Sequence, residues 1–472
     1  MPLRKFQCPE CQSSLIGTPD VGVMCERCDA RMTVTDGILD FVTGNTGLVS
    51  EPAGPAMPYQ ELKNLAAGYW PGLLGSVLEV GCGTGLLTRG LIQGNEATDL
   101  VVTDGSLLML QATRRHLGQA GLLTNIPLIF ATHSGTEPVF RDSAFDTCAG
   151  TSVLNRMHDV RGFMSNMFRW LRPGGRAFFT EPNVRYHRAL GQTLADILAL
   201  LYREDPGFSH GKQSLLNIVS QWRRGILHLG DLPFLAALED KHMFAGDTFE
   251  AMGREIGFAK TIAIPVAFGP TGVGFIDRLC EQLGVKEPVR STVLGLLPAF
   301  ADRYLSLLSP RDRTDRFLFW LEKGVGPIAR HFRGPPAMEG ELPTDLPDSF
   351  RVGGLPPRWS FELAASRTDD GIALRVHGWC VVNTDVRWIR VTLGGVGRDT
   401  PVWLPRPDVP ASVDPHAAYA SWNALCCGVD ETLCFPDGGL DLRIEIVLSS
   451  GAILAVPAPP NLTLDETVVV TQ

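Results

Sequence analysis

The chain has 472 residues, enough for about three domains, and at 44% hydrophobic and 20% charged it can bury ordinary globular cores. Its formal net charge is −9 and no dense Lys/Arg run is present, which argues against a polyanion-binding protein built on a basic face. No apolar stretch of the kind a secretory signal needs precedes Cys8, and the most apolar helical segments, near 190–202 and 293–308, carry polar or charged interruptions, so neither secretion nor a membrane span is expected. Cytoplasm is the expected location, and there the eleven cysteines are read as thiols or metal ligands.

The first forty residues hold two C-x2-C knuckles, Cys8-Pro9-Glu10-Cys11 and Cys25-Glu26-Arg27-Cys28, with thirteen residues between them. Two facing knuckles make a tetrahedral four-sulfur cage that suits Zn2+, and a segment this short needs the metal for much of its folding energy. A redox CxxC would instead open a helix within a βαβ pattern. The segment ends Asp36-Gly37-Ile38-Leu39-Asp40-Phe41 and resembles the zinc-ribbon family that includes small methyltransferase activator proteins. A comparable ribbon precedes the catalytic domain of some large-subunit rRNA guanine methyltransferases. The likeness covers residues 1–43 and implies a structural or substrate-presenting role. Residues 1–58 carry four basic side chains against seven acidic ones, a net −3 that makes a poor surface for RNA. Residues 44–58, rich in Gly and Pro, read as a linker.

Next comes a short apolar strand, Ser76-Val77-Leu78-Glu79-Val80, then Gly81-Cys82-Gly83-Thr84-Gly85, then a helical apolar pattern over 86–92. Strand, glycine turn and helix together let a ligand approach the backbone and meet the free amides of a helix start. The loop alone would equally open a dinucleotide site. A second strand, 100–103, ends in Asp104, placed to accept from two ribose hydroxyls. Asp104-Gly105-Ser106 opens a helix containing Met109. A third strand follows at 127–131, a fourth at 147–150, and a fifth in Leu171-Arg172-Pro173-Gly174-Gly175-Arg176-Ala177-Phe178-Phe179-Thr180-Glu181-Pro182.

In order and spacing, "LEVGCGTG", "DGSLLML", "FD", "HD" and "LRPGGRAFFTEP" resemble the class I, Rossmann-like S-adenosylmethionine-dependent methyltransferases over residues 59–270. The resemblance implies an α/β fold with a seven-stranded sheet. It places Glu79, Gly81, Gly83 and Gly85, with Cys82 as a small space-filler, along the methionine side of the cofactor. It puts Asp104 and Gly105 at the ribose and Ser106 and Met109 near the adenine. The Asp that this family often carries after the third strand is absent. Ala131-Thr132-His133-Ser134-Gly135 stands there, so Thr132, His133, Ser134 or a backbone carbonyl would take over.

Methyl transfer is an in-line displacement that needs alignment and, for a hydroxyl acceptor, a base. His158 after the fourth strand is the first candidate, although His158-Asp159 also reads as a helix start capped by Asp159. Glu181 and His187 follow the fifth strand; His242 precedes a helix over 248–256. The Asn/Asp-Pro-Pro-aromatic motif for exocyclic base amines is absent, as is a Pro-Cys after the fourth or fifth strand. An insertion over 186–238, with apolar residues at Leu190, Leu194, Ile197, Leu198 and Leu201, reads as a helical lid or substrate wall.

Residues 257–266 read as the sixth strand, 276–333 as a helical extension, and 333–355 as a Pro/Gly-rich boundary. Over 355–472 short alternating strands (372–379, 388–393, 440–448) read as a β-sandwich, loosely similar to a β-module appended to enzymes of bacterial surface-polysaccharide clusters. The expected function is S-adenosylmethionine-dependent methylation of a sugar or other small-molecule or glycan acceptor, with polysaccharide-assembly enzymes as partners. The alternatives are an RNA methyltransferase using its ribbon and a non-catalytic scaffold.

Overall fold

The computed structural model describes residues 2–19, 22–42, 59–135, 137–205, 209–224, 242–266, 272–325, 358–368, 371–382, 386–400, 402, 404, 406, 409, 427–448, 452–457, 464 and 467–471. The expected linkers at 44–58 and 333–355, and residues 225–241 of the insertion, lie outside them. No helix among the described residues is long and apolar enough to cross a membrane.

In chain order the elements are β1 (Leu15–Thr18), β2 (Gly22–Cys25), β3 (Arg31–Thr35), β4 (Ile38–Asp40), α1 (Tyr59–Leu65), β5 (Gly75–Val80), α2 (Leu86–Gln93), β6 (Ala97–Asp104), α3 (Leu107–Gln119), β7 (Leu128–Thr132), β8 (Phe145–Thr151), α4 (Val160–Trp170) and β9 (Leu171–Pro182). Then come α5 (Val184–Glu204), α6 (His210–Arg224), α7 (Gly246–Ile256), β10 (Lys260–Pro265), α8 (Val273–Gln282), α9 (Val289–Leu305) and β11 (Arg316–Glu322). The rear elements are β12 (Arg358–Thr368), β13 (Gly371–Val381), β14 (Val386–Leu393), β15 (Val396–Thr400), β16 (Gly428–Phe435), β17 (Leu442–Leu448), β18 (Ile453–Val456) and β19 (Thr467–Thr471).

The chain forms two compact units. The first comprises Met1–Asn183, Leu227–Ala267 and Thr314–Gly340. Its sheet runs β1-β2-β3-β4-β7-β6-β5-β8-β9-β11-β10. From β4 to β9 neighbours are parallel; β11 lies antiparallel to both β9 and β10. The central strands are buried nearly throughout, as parallel strands sheathed on both faces must be.

Two expectations change. The ribbon is not a separate module ahead of a seven-stranded sheet: the sheet has eleven strands because β4 pairs with β7, Ile38 opposite Phe130 and Leu39 opposite Ala131. An open parallel sheet leaves edge amides and carbonyls bare, and the ribbon covers that edge while burying Ile38 and Leu39 completely. The second change concerns 276–333, which is not helical throughout. Phe317 to Leu321 form a fully buried apolar run between β9 and β10, and such a run has no periodicity to separate strand from helix. The boundary expected at 270 therefore cuts the sheet before its last strand in sequence.

The second unit comprises Val184–Ile226, Phe268–Arg313 and Glu341–Gln472. Leu190, Leu194, Ile197, Leu198 and Leu201 are buried on α5, as their helical spacing predicts. The Tyr304 hydroxyl of α9 donates to Asp196 of α5. At the rear, β16-β13-β12-β19 and β15-β14-β17-β18 make two antiparallel sheets. One apolar cluster joins Phe361, Leu363 and Val376 to Ile389, Val391 and Ile446, the shared core of a two-layered β structure.

Candidate active site and thiol cluster

The loop after β5 is built to leave backbone bare. A side chain on Gly81 would meet Val153 Cγ2 at 2.5 Å, while above Gly83, at φ +52, nothing lies within 4 Å. Gly85 stands at the start of α2 without a side-chain cap, so the first helix amides stay available to a ligand. Asp104 ties this loop to the next helix. Its Oδ2 accepts from the Gly83 amide at 2.9 Å and its Oδ1 from the Ser106 amide at 2.8 Å. Each oxygen keeps a lone pair for a further donor. Burial raises the Asp104 pKa against the pull of those amides and of Arg156.

Glu79 sits one residue before the end of β5, fully buried, and neither carboxylate oxygen meets a hydrogen-bond partner. Burial pushes its carboxyl up to about 8, the nearby Thr88 pulls it down, and the Asp104 charge pushes it up again. Ionising Glu79 beside Asp104 is costly, so Glu79 keeps its proton up to about pH 8 unless a cation completes it. S-adenosylmethionine carries an ammonium, a sulfonium and a ribose, and the unpaired Glu79, the half-filled Asp104 and the bare Gly83 backbone fit it.

The other expected cofactor residues divide. Gly105 is exposed with open space around it. Ser106 spends its hydroxyl on the Met109 amide as the cap of α3, and Met109 is buried. Cys82 is buried with its thiol toward Thr113, and burial drives its pKa well up, as befits a space-filler.

Three of the four expected proton acceptors, Glu181, His242 and His158, gather at the turn after β8. Glu181, at the end of β9, is fully buried and accepts the amides of Val153 and Leu154 on Oε1 and of Asn155 on Oε2, at 2.8–3.1 Å. It anchors the turn after β8 with both oxygens engaged, even though burial lifts its carboxyl to about 7. His242 anchors the same turn: its amide donates to Asn155 O and its Nε2 to Met157 O, each at 2.9 Å. His158 is exposed beside it, and Asp159 caps α4 by accepting from Gly162. His187 lies in the second unit, buried edge-on against Trp222 and Phe275.

At the front, the sulfurs of Cys8, Cys11, Cys25 and Cys28 all lie within 4.8 Å of one another, a donor set that could hold a metal ion. The Arg27 amide donates to Cys25 Sγ, the contact a knuckle turn provides. What sequence reading missed is how this cluster is stitched to the sheet. Phe6 stacks on Phe41 and packs on Phe140. Lys5 is buried against Ser76 and Asp99. Thr132, at the end of β7, accepts the amides of Phe41 and Val42 and donates to Asp40. Thr132 is also the register partner of Asp104. Thr132 and its ribbon partners lie about ninety residues apart in the chain and leave no local signal.

Residues 78–177 match a family model described as a methyltransferase domain. Residues 78–177 are a methyltransferase domain. The methyltransferase segment is 32% identical over 99 residues to a biotin biosynthesis bifunctional protein of Bordetella avium, covering 21% of this chain and 20% of that protein. It is 29% identical over 139 residues to the ubiquinone biosynthesis O-methyltransferase of an Azoarcus species, covering 28% of this chain and 57% of the relative. The matches thus span less than two thirds of either relative. Similar solved structures include the YcgJ protein of Bacillus subtilis (TM-score 0.35, 13% identity, 57% of this chain and all of that one). Another is a phosphoethanolamine N-methyltransferase of Haemonchus contortus in complex with S-adenosyl-L-methionine (TM-score 0.34, 14% identity, 56% of this chain and 52% of that one).

Proposed function

We propose that this protein transfers the methyl group of S-adenosylmethionine to an oxygen of a small-molecule acceptor, a sugar or glycan above all, and that its four front cysteines hold a structural Zn2+. The observation that carries the cofactor part is the buried, unpartnered carboxylate of Glu79 beside the bare Gly83 backbone and Asp104. Glu79 would hold the ammonium, Asp104 the ribose hydroxyls, and the start of α2 the carboxylate. S-adenosylmethionine supplies a methyl group on a sulfonium, open to attack by a nucleophile in line with the departing sulfur.

Oxygen as acceptor is supported by the O-methyltransferase among the relatives, and a small or glycan acceptor by the acidic balance of the chain. His158, exposed beside the turn that Glu181 and His242 hold rigid, is the residue we assign to take the acceptor's proton; Glu181 is a positioning residue. The six described cysteines outside the front cluster are free thiols.

The test has two arms. Equilibrium dialysis with S-adenosylmethionine should show one site per chain, lost in Asp104→Ala; binding that survives this change would sink the cofactor assignment. Methyl-labelled cofactor, incubated with the protein and a fractionated bacterial extract, should leave label in a ribonuclease-resistant carbohydrate fraction. Label that vanishes with ribonuclease would replace the glycan reading by an RNA one.

A further inference from the structure

Between the tip of the ribbon and α3 lies an open groove of about 1010 Å³. One wall is the ribbon: Pro19, Val34, Ile38 and the turn at Asp36-Gly37. The other is one face of α3, made by Gln111, Arg114, Arg115 and Gly118. These four stand at i, i+3, i+4 and i+7, the spacing at which a helix ordinarily presents an apolar stripe to its neighbour. Here the stripe carries two guanidinium groups and turns them into the groove.

The groove is held in shape. Gln111 Nε2 donates to Asp36 Oδ2 at 2.7 Å, pinning the ribbon tip on the helix and engaging one oxygen of the single acid among the described lining residues. Gly37, at φ +71, receives the guanidinium of Arg114 against its Cα; a Cβ there would stand 2.4 Å from Arg114 Nη1. Among the described residues neither Arg114 nor Arg115 has a carboxylate partner, although Arg114 is half-buried. A half-buried guanidinium with no counter-charge is unfavourable unless an anion completes it.

We propose that this groove binds the phosphate group of a small phosphorylated compound, at a site separate from the glycine loop. Adjacent guanidinium groups match the several oxygens of a phosphate, and the apolar walls of Val34, Ile38 and Pro19 take the organic body. The volume suits one small ligand. A nucleic acid is disfavoured, because a polymer needs a basic track continuing past the groove and residues 1–58 carry a net −3. Nothing in this groove depends on the methyl-transfer reading, so either can fail alone.

The probe is phenyl phosphate, titrated calorimetrically into the full-length protein, with S-adenosylmethionine binding and the thermal midpoint measured in parallel. One site per chain is expected, weakened roughly tenfold or more in the Arg114→Gln/Arg115→Gln double variant, with cofactor affinity and thermal midpoint unchanged. Gly118→Trp, which fills the groove from an exposed helix position and leaves both arginines in place, should weaken it equally. Absence of saturable binding up to about 10 mM overturns the proposal, as does binding undiminished in both variants. A single-stranded oligonucleotide that binds with steep salt dependence and displaces phenyl phosphate would also overturn it, in favour of a polymer surface.

Discussion

Two β-rich regions bracket the methyltransferase domain in sequence, and they are built on opposite principles. The ribbon of residues 2–42 has almost no core of its own: Phe6, Leu15, Val23 and Leu39 belong to the same apolar cluster as Leu78, Phe145, Phe179 and Phe319 of the large sheet. The rear strands bury Trp359, Phe361, Ile389, Ile444 and their neighbours in a cluster made only of residues 359–456. A module of forty residues cannot bury enough surface to fold alone, so it borrows a core, whereas about a hundred residues in two sheets bury one of their own. Fusion and independence are therefore energetic outcomes of size.

That contrast predicts which part of the molecule feels a given lesion. The largest effect should come from the thiol cluster. Chelation, or Cys11→Ser with Cys28→Ser, should cost several kcal/mol and lower the unfolding temperature of the first unit by about 10 °C or more, leaving the rear transition in place. Scanning calorimetry reads both transitions, and equal movement of the two would break the comparison.

Next in size are core truncations. Phe6→Ala and Phe361→Ala should each cost about 3–5 kcal/mol in urea unfolding, the first in the methyltransferase transition and the second in the rear one. A Phe6→Ala loss confined to the ribbon, with the large sheet unmoved, would contradict the shared core.

The third prediction concerns pH. Glu79 holds its proton up to about pH 8 when folded, against an ordinary value of 4.5. Between those values the folded protein binds more protons than the unfolded chain, so this residue makes stability fall as pH rises from 4.5 to 8. The loss is on the order of 5 kcal/mol, and Glu79→Gln should abolish it in the cofactor-free protein. Because only the ionised carboxylate pairs with an ammonium, S-adenosylmethionine should bind the natural protein more tightly as pH rises through that window. Denaturant midpoints across pH check the first statement and binding calorimetry the second. A flat wild-type profile would count against an unpaired Glu79.

Smaller effects complete the series. Asp159→Ala, which removes the cap of α4, should cost about 1 kcal/mol. Arg390→Gln, which breaks a half-buried pair with Asp399 on the rear sheets, should cost roughly 1 kcal/mol or less and shrink in high salt.

Much of the site was legible because its signals are local. The glycine loop, Asp104 at the end of the next strand, and the capping Ser106 and Asp159 each depend on neighbours a few residues away. The thiol spacing is local too, and the four sulfurs do converge. For Glu181, residue type and strand-end position suit both a base and an anchor. Only the three amides of residues 153–155 decide between them.

By itself, then, the sequence determined the α/β character of the centre, the helical phase of α5, the glycine turn after β5 and the cysteine cluster, because periodicity, turn chemistry and knuckle spacing are properties of short windows. Tertiary structure alone decided that Ile38 and Leu39 extend the sheet, that 316–322 is a strand inserted between β9 and β10, and that Arg114 rests against Gly37. The physical reason is the same in each case. Edge pairing and a buried apolar run have no period of their own, and what satisfies them is a partner tens of residues away.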